Sequence, residues 1–437
     1  MGLEYKHIEY ILANYDEAKS DYERIAEQVF LSDLNFNNRC IQTVSVPKAY
    51  TSDDLKLFKD FISKCFIVFN KVIERYINDA EYRKLFPFSK ELEELILLPK
   101  QFEVNIPMTR IDFFYNEETK EIGLCEVNTD GTAAMNENRI FNELLSLNTA
   151  AKFVLGDNYY TFELIDSWIG EFMALWNEYS GNKPNPTVAI VDFLDRATLN
   201  EFTRFKEAFE RREINCIICD IRELDYDGIV LSYQGRSIDV IYRRAVTSDI
   251  VENIESVNAF IAAVKDDNVC IVGGFKSQII HHKYSFIVLH MEETNAFLSE
   301  EEKAFVKAHV PLTKVLTDES ATDENIYENK DMWIIKPFDL YAAKGVYAGV
   351  DYSIAEWRDL VEKSMRTDEY LMQRYYKPYR TKNIDFSEEE PQVRDYRNMT
   401  GVFCYNEKVS GIYSRLSKSG IIAVGTEKVV ATVILKE

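Results

Sequence analysis

The sequence predicts a mixed α/β fold with a helical N-terminal region, on three observations. Residues 1 to about 100 carry apolar side chains at helical spacing, residues about 102–130 switch to a period of two, and residues about 186–275 alternate helices with short apolar strands. At 437 residues the chain is long enough for two or three structural units and several buried cores.

Each element follows from its pattern. From Thr51 the spacing Leu55, Phe58, Phe61, Ile62, Cys65, Phe66, Phe69, Val72, Ile73 and Tyr76 predicts an amphipathic helix whose aromatic face is core, with Thr51-Ser52-Asp53-Asp54 as its cap. Residues about 137–180 return to helical spacing, and Gly181-Asn182-Lys183-Pro184-Asn185-Pro186 breaks the chain. Short apolar strands are then expected at Val188–Val191, Cys216–Cys219, Gly228–Leu231, Ile238–Arg243 and Val269–Val272, with a helix over Leu199–Arg211. Helices and strands such as Met332–Lys336 and Gly401–Cys404 mix in the last third. The expected division is a helical region over 1–100, a second unit over 101–185, a parallel α/β unit over 186–278 and a final unit over 279–437.

Composition narrows the function classes. The chain is 46% hydrophobic and 28% charged, with no low-complexity tract and no apolar run near the roughly 20 residues of a membrane span. The N-terminus lacks a signal core, and Lys6 stands where a myristoylation motif needs Ser or Thr, so a cytoplasmic location is expected. Seven scattered cysteines fit free thiols in a reducing compartment; the close pair Cys216 and Cys219 reads as packed in a strand. A net charge of −22 argues against nucleic acid or an anionic membrane as partner and is compatible with a cationic ligand.

The stretch from Met108 to Asp130 alternates on both sides of the polar turn Asn116–Glu121. A hairpin centred near Thr119 sets Asp112 opposite Glu126 and Arg110 opposite Asn128, with Ile111, Phe113, Tyr115, Gly123, Cys125 and Val127 on the other face. Opposed carboxylates about 5 Å apart repel and call for compensation. Two readings stay open on spacing alone: an oxygen-rich site suited to Mg²⁺ with nucleotide phosphates, or a solvated face with an ordinary salt bridge.

Further along, Lys336 ends an apolar strand, where it needs an anion or a path to water. The small residues of the following loop, Phe338 to Val346 with Lys344, could bring backbone N–H groups to phosphate. His281 and His282 read as structural, and Lys283 follows them. Tyr370–Pro378 reads as a strand leaving toward a hinge, with Gln373 and neighbouring backbone placed to meet an adenine edge. Gly401–Cys404 and Val409–Arg415 form a second hairpin with Arg415 near its end.

In this order these segments resemble the circularly permuted ATP-grasp ligases, most closely the glutathionylspermidine synthase-like group. The matching pieces are Arg110-x-Asp112, Glu126-x-Asn128 with Thr129-Asp130-Gly131, Asp239–Arg244, Lys283, Ile335-Lys336-Pro337, Gln373 and Gly411–Arg415. The resemblance implies a permuted ATP-grasp fold with an inserted Rossmann-like pre-ATP-grasp unit. It implies that Asp112, Glu126 and Asn128 hold Mg²⁺, that Lys283, Lys336, Lys344, Gln373 and Tyr375 bind ATP, and that Arg110 and Arg415 are catalytic. The loop after Lys336 departs from the group, with Ala342-Ala343-Lys344-Gly345 where relatives carry more glycine, and no amidase domain is expected.

The expected activity is an ATP- and Mg²⁺-dependent carboxylate–amine ligase working through an acyl phosphate, with a small-molecule or peptide acid and an amine, such as a polyamine, as substrates. No Ser/His or Cys/His nucleophile set stands out, which fits such chemistry. The alternatives are an ATP-grasp kinase acting on a hydroxyl, and a non-catalytic nucleotide-binding protein. The N-terminal helices are candidates for shaping the substrate pocket or for homodimer formation.

Overall fold

The computed structural model describes residues 2–36, 39–317, 324–338, 344–366, 369–422 and 427–436. The N-terminal region folds as α1 (Leu3–Ala13), α2 (Tyr15–Leu31) and the long α3 (Ser52–Asn78). Thr51 caps α3 reciprocally with Asp54, each side chain accepting the other's backbone N–H. The apolar stripe expected for α3 is buried and shares one core with Ile111, Phe113 and Tyr115. Phe58 and Phe61 meet the Phe113 ring edge-on, with centroids 5.2 and 5.3 Å away. Each such buried ring stabilises the fold by about 1.5–3 kcal/mol.

One region expected to be purely helical also contributes strand. Lys48–Tyr50 pairs in parallel with Thr432–Leu435, which pairs in turn with Tyr159–Tyr160. Two- and three-residue strands are too short to show a period, so only the meeting of distant segments creates them.

The hairpin consists of β1 (Met108–Tyr115) and β2 (Ile122–Asn128). Asn116 shapes its turn, its side chain accepting from the Glu118 and Thr119 amides. Three helices follow, α4 (Met135–Leu144), a short one at Thr149–Leu155, and α5 (Ile165–Ser180), the last ended by Gly181 in the left-handed region.

A four-stranded parallel sheet comes next. It consists of β3 (Thr187–Asp192), β4 (Asn215–Asp220), β5 (Val240–Arg243) and β6 (Cys270–Val272), in the order β6-β5-β3-β4, with α6 (Leu199–Glu210) crossing from β3 to β4. The strand expected at Gly228–Leu231 does not join it. Asp227 accepts from the Ile229 and Val230 amides to make a turn, Gly228 takes φ +94°, and Leu231–Tyr233 enters a small antiparallel sheet instead. All seven cysteines are free, and Cys216 and Cys219 are buried along β4.

The last third supplies β7 (Thr313–Val315), β8 (Trp333–Pro337), β9 (Tyr347–Ala348) and β10 (Tyr370–Arg374), an antiparallel sheet in the order β7-β10-β8-β9. Helix α7 (Ile354–Met365) covers one face, its Trp357 and Val361 packing with Trp333, Ile335 and Met372. The chain then returns to the hairpin through β11 (Arg380–Ile384), β12 (Val393–Tyr405), β13 (Lys408–Ser417) and β14 (Lys428–Val430). The resulting sheet runs β14-β13-β12-β1-β2, with β11 on β12. Its turn at Asn406-Glu407 has both residues at positive φ, the geometry that suits a tight hairpin. Among the described residues no helix is long and apolar enough to cross a membrane.

Candidate active site

Sheet register assembles the site. Tyr413 pairs with Gly401, Gly401 with Asp112, and Asp112 with Glu126, so a single cross-strand row joins four strands. Paired residues share a face, and Arg110, Asn128 and Arg415 lie two positions along the same face. The opposite face, with Ile111, Phe113, Val402 and Ile412, is the core over α3. A Cβ on Gly401 would stand 2.8 Å from Asp112 Oδ1 and 3.0 Å from Arg110 Cδ, so glycine leaves the space in which Arg110 lies over the sheet.

Asp112 is fully buried and grips two guanidinium groups. Arg110 donates to it through Nε at 2.7 Å and Nη2 at 2.9 Å, and Arg415 donates through Nη2 at 2.8 Å. The Asn128 amide nitrogen lies 3.2 Å from Asp112 Oδ2 and 3.3 Å from Glu126 Oε1. Glu126 remains half-buried. Burial alone would raise its carboxyl, but Lys283, Arg415, Lys336 and Arg110 together pull it down to about 2.

The expected pairing of Arg110 with Asn128 and of Asp112 with Glu126 is present, but the register shifts beyond it. Phe113 pairs with Leu124 rather than Cys125, leaving Cys125 as an extra residue in a bulge. Ile122 and Leu124 therefore join the core, while Gly123 turns to the other face, where the Tyr376 ring leaves no room for a Cβ. Cys125 is half-buried beside Lys336, Glu126, Asp112 and Arg415 instead of facing the core. Alternation cannot reveal a bulge, because each arm keeps its own period on either side of it.

The remaining expected residues come from other segments. Lys283 lies between the short helices Gln278–His281 and Ser285–Val288. His281 ties this segment to the end of β2, with Nδ1 3.2 Å from the Val127 carbonyl and 3.3 Å from the Thr129 amide. His282 is buried and held well below the usual imidazole range, first by burial and then by Lys283 and His281, so both histidines serve structure. Lys336 is 7% exposed on β8. Its cross-strand partner is Leu371, and Ile334 pairs with Gln373, so Lys336 and Gln373 share the sheet face away from α7.

Gln373 donates to Thr313 Oγ1 at 3.0 Å, and its backbone lies inside the ladder between β7 and β8. Tyr375 just beyond the strand donates its hydroxyl to the Gly420 carbonyl at 2.8 Å. Lys344 is exposed next to a loop whose residues Asp339, Leu340, Tyr341, Ala342 and Ala343 lie outside the described residues.

Sequence reasoning missed Glu427, Glu137 and Tyr413. Glu427 Oε2 stands 3.8 Å from Arg415 Nη1, and burial raises its carboxyl against the pull of Arg415 and Arg110. Tyr413 donates its hydroxyl to Glu137, and its ring lies 5.9 Å from the Arg110 guanidinium and 6.0 Å from that of Arg415. Glu137 opens α4, more than two hundred residues from Tyr413 in sequence, and no local pattern links them.

The arrangement suits a polyphosphate better than a bare cation. Among the described residues no group of three or more His, Cys, Asp or Glu side chains stands where it could hold a metal ion. Asp112, Glu126 and Asn128 offer oxygen donors of the kind Mg²⁺ takes, the amide of Asn128 by a flip of its side chain. Four cations face Glu126, however, and would repel a divalent ion arriving alone. The donor set fits Mg²⁺ brought in with an anion.

No protein-family model matches the sequence, and neither does any curated protein. Solved structures do. A glutathione synthetase-like effector from Globodera pallida in apo form is 12% identical, with 96% of each chain covered and a TM-score of 0.60. A putative gamma-glutamylcysteine synthetase from Methylobacillus flagellatus is 10% identical over 86% of this chain and 85% of its own, at a TM-score of 0.43. The first similarity, extending over both chains, gives the protein the fold of that glutathione synthetase-like effector.

Proposed function

We propose that the protein is an ATP- and Mg²⁺-dependent ligase joining a carboxylic acid to an amine through an acyl phosphate, with the permuted order of the glutathionylspermidine synthase-like group. The observation that carries this reading is the convergence of Lys283, Lys336, Arg110 and Arg415, from separate segments, on Glu126 beside Asp112 and Asn128. On this reading residues 101–185 and 279–437 form the metal- and nucleotide-binding parts of one ATP-grasp unit. Residues 186–278 are the inserted pre-ATP-grasp unit and 1–100 the helical region. The cell compartment proposed is the cytoplasm.

Lys336 and Lys283 bind the phosphates, with Lys344, Gln373 and Tyr375 on the nucleotide side. Asp112, Glu126 and Asn128 hold Mg²⁺, which supplies neutralisation of phosphate charge and Lewis-acid polarisation when bound. The substrate carboxylate attacks the γ-phosphorus in line, and Arg110 and Arg415 offset charge on the transferring group. The amine then attacks the acyl carbon, a C–N bond forms, and phosphate leaves with the C–O electron pair. Enclosure matters because water would otherwise hydrolyse the intermediate.

The test is ADP release by the full chain with Mg·ATP and a panel of acids, the twenty amino acids and glutathione, with hydroxylamine as acceptor. Hydroxamate is the expected product. ADP formed with a stable phosphoester and no hydroxamate would point to a kinase, and no binding of Mg·ATP at millimolar concentration would sink both readings.

A further inference from the structure

Beyond the phosphate-binding residues, a second polar chain leads away from the arginines. Tyr413 belongs to the cross-strand row that holds Asp112 and Glu126, and its ring lies beside both the Arg110 and Arg415 guanidinium groups. Its hydroxyl donates to Glu137 Oε2, in the first turn of α4. Glu427 approaches Arg415 from the strand edge, and its enclosed Oε2 accepts no hydrogen bond among the described residues. The ATP and Mg²⁺ roles assigned above use neither carboxylate.

We propose that Glu137 is the proton acceptor for the incoming amine, which reaches the site as an ammonium ion between Glu137 and Glu427. This inference rests on the ligase reading and assigns a residue to the amine half of the reaction. An ammonium nitrogen has no lone pair and cannot attack an acyl carbon. Glu137 takes one proton from R–NH₃⁺ and becomes a carboxylic acid. The freed lone pair forms the C–N bond, the C–O bond to phosphate breaks, and the second nitrogen proton leaves with the phosphate.

The surroundings of Glu137 suit a group that must exchange a proton. Burial comes first in raising its carboxyl, to about 7, and Glu427 and Glu201 add to this while the Tyr413 hydroxyl and Arg415 oppose it. Glu201 is itself committed to Arg244 and to the α4 amide groups. A base whose proton affinity lies near the working pH is effective in both directions.

The experiment compares two acceptors on the full chain with Mg·ATP and the same acid panel. Spermidine arrives protonated; hydroxylamine is uncharged at neutral pH and needs no base. Glu137→Gln, which still accepts the Tyr413 hydrogen bond, should lower turnover with spermidine by about 100-fold or more while hydroxamate formation stays within about 3-fold. The wild-type rate with spermidine should rise with pH through about 7, and the variant should lose that step. Tyr413→Phe, which removes a donor to the carboxylate, should move the step upward.

Equal losses with both acceptors, or an unchanged pH profile in Glu137→Gln, would overturn the role of Glu137 alone. Absence of hydroxamate from every acid with the wild-type chain would instead overturn the ligase reading beneath it.

Discussion

Two charged networks begin two residues apart on the same strand end, and they are built differently. Asn128 belongs to the candidate site, where four cations face Glu126 and the surface stays partly open. Asp130 belongs to a joint between the hairpin and the parallel sheet, where charges are matched and sealed. Arg243 pairs with Asp130 at 2.6 Å, both side chains 2% exposed or less, and Asp130 also accepts from the Thr247 amide. Arg244 pairs with Glu201 at 3.1 Å, and Glu201 accepts from the Ala134, Met135 and Asn136 amides at the start of α4. A closed network with one carboxylate for each guanidinium fixes one element against another. An open network that stays partly exposed can exchange its internal partners for those of a ligand.

Breaking the joint should have the largest effect. Arg243→Ala leaves Asp130 buried without its partner and should lower the unfolding free energy by about 3–5 kcal/mol. Urea unfolding at neutral pH without ligand measures this. Adding Asp130→Ala should recover part of the loss, because the pair is coupled. A near-neutral Arg243→Ala would erase the distinction between the networks.

The open network should answer differently. Glu126→Gln should cut ATP turnover by about 10²–10³-fold, as loss of a preorganised charge does at other sites. Its effect on stability should be smaller than that of Arg243→Ala. Calorimetry sharpens the contrast. With metal chelated, removing the negative charge should tighten ATP binding to the remaining cations; with Mg²⁺ present it should weaken it. Loosening under both conditions would mean that Glu126 does not stand at the metal.

The two networks were unequally legible in the sequence. Alternation placed Asp112 opposite Glu126 because period two survives in a half-buried hairpin, and the α3 stripe was visible for the same reason at period 3.6. The bulge at Cys125 was invisible, since one inserted residue shifts the pairing without altering either arm. Gly401 carried no local mark, because the need for a missing Cβ arises from Asp112 and Arg110 across a strand nearly three hundred residues distant. Glu137 and Glu427 stand in no local pattern, and only sheet closure brings Tyr413 and Arg415 to them. Arg243 and Arg244 were visible within the ordered motif, but their partners Asp130 and Glu201 follow only from how the parallel sheet meets the hairpin.

The smallest effect separates a buried carboxylate near the joint from Glu126 by the sign of its pH dependence. Asp192 ends β3 near the joint, and burial, helped by Asp249 and Asp130, raises its carboxyl from 3.8 to about 7 against the pull of Arg244 and the Phe193 amide. Between those values the folded chain holds a proton that the unfolded chain has released. Stability from this group is therefore greatest at low pH and falls as pH rises from about 4 to about 7. Glu126 has the opposite sign: its carboxyl is lowered from 4.5 to about 2, so its contribution is present above about 4.5 and is lost on acidification toward 2. Asp192→Asn keeps the shape and removes the titration. It should match wild type near pH 4 and exceed it at pH 8 by about 1–2 kcal/mol, a fraction of the full linkage because the side chain is only half-buried. Glu137 contributes to the same slope, so the variant should flatten it in part. Denaturation midpoints across pH 4–8 measure the difference. Parallel curves for variant and wild type would show that Asp192 is ionised throughout and that the joint carries a carboxylate beyond its two ion pairs.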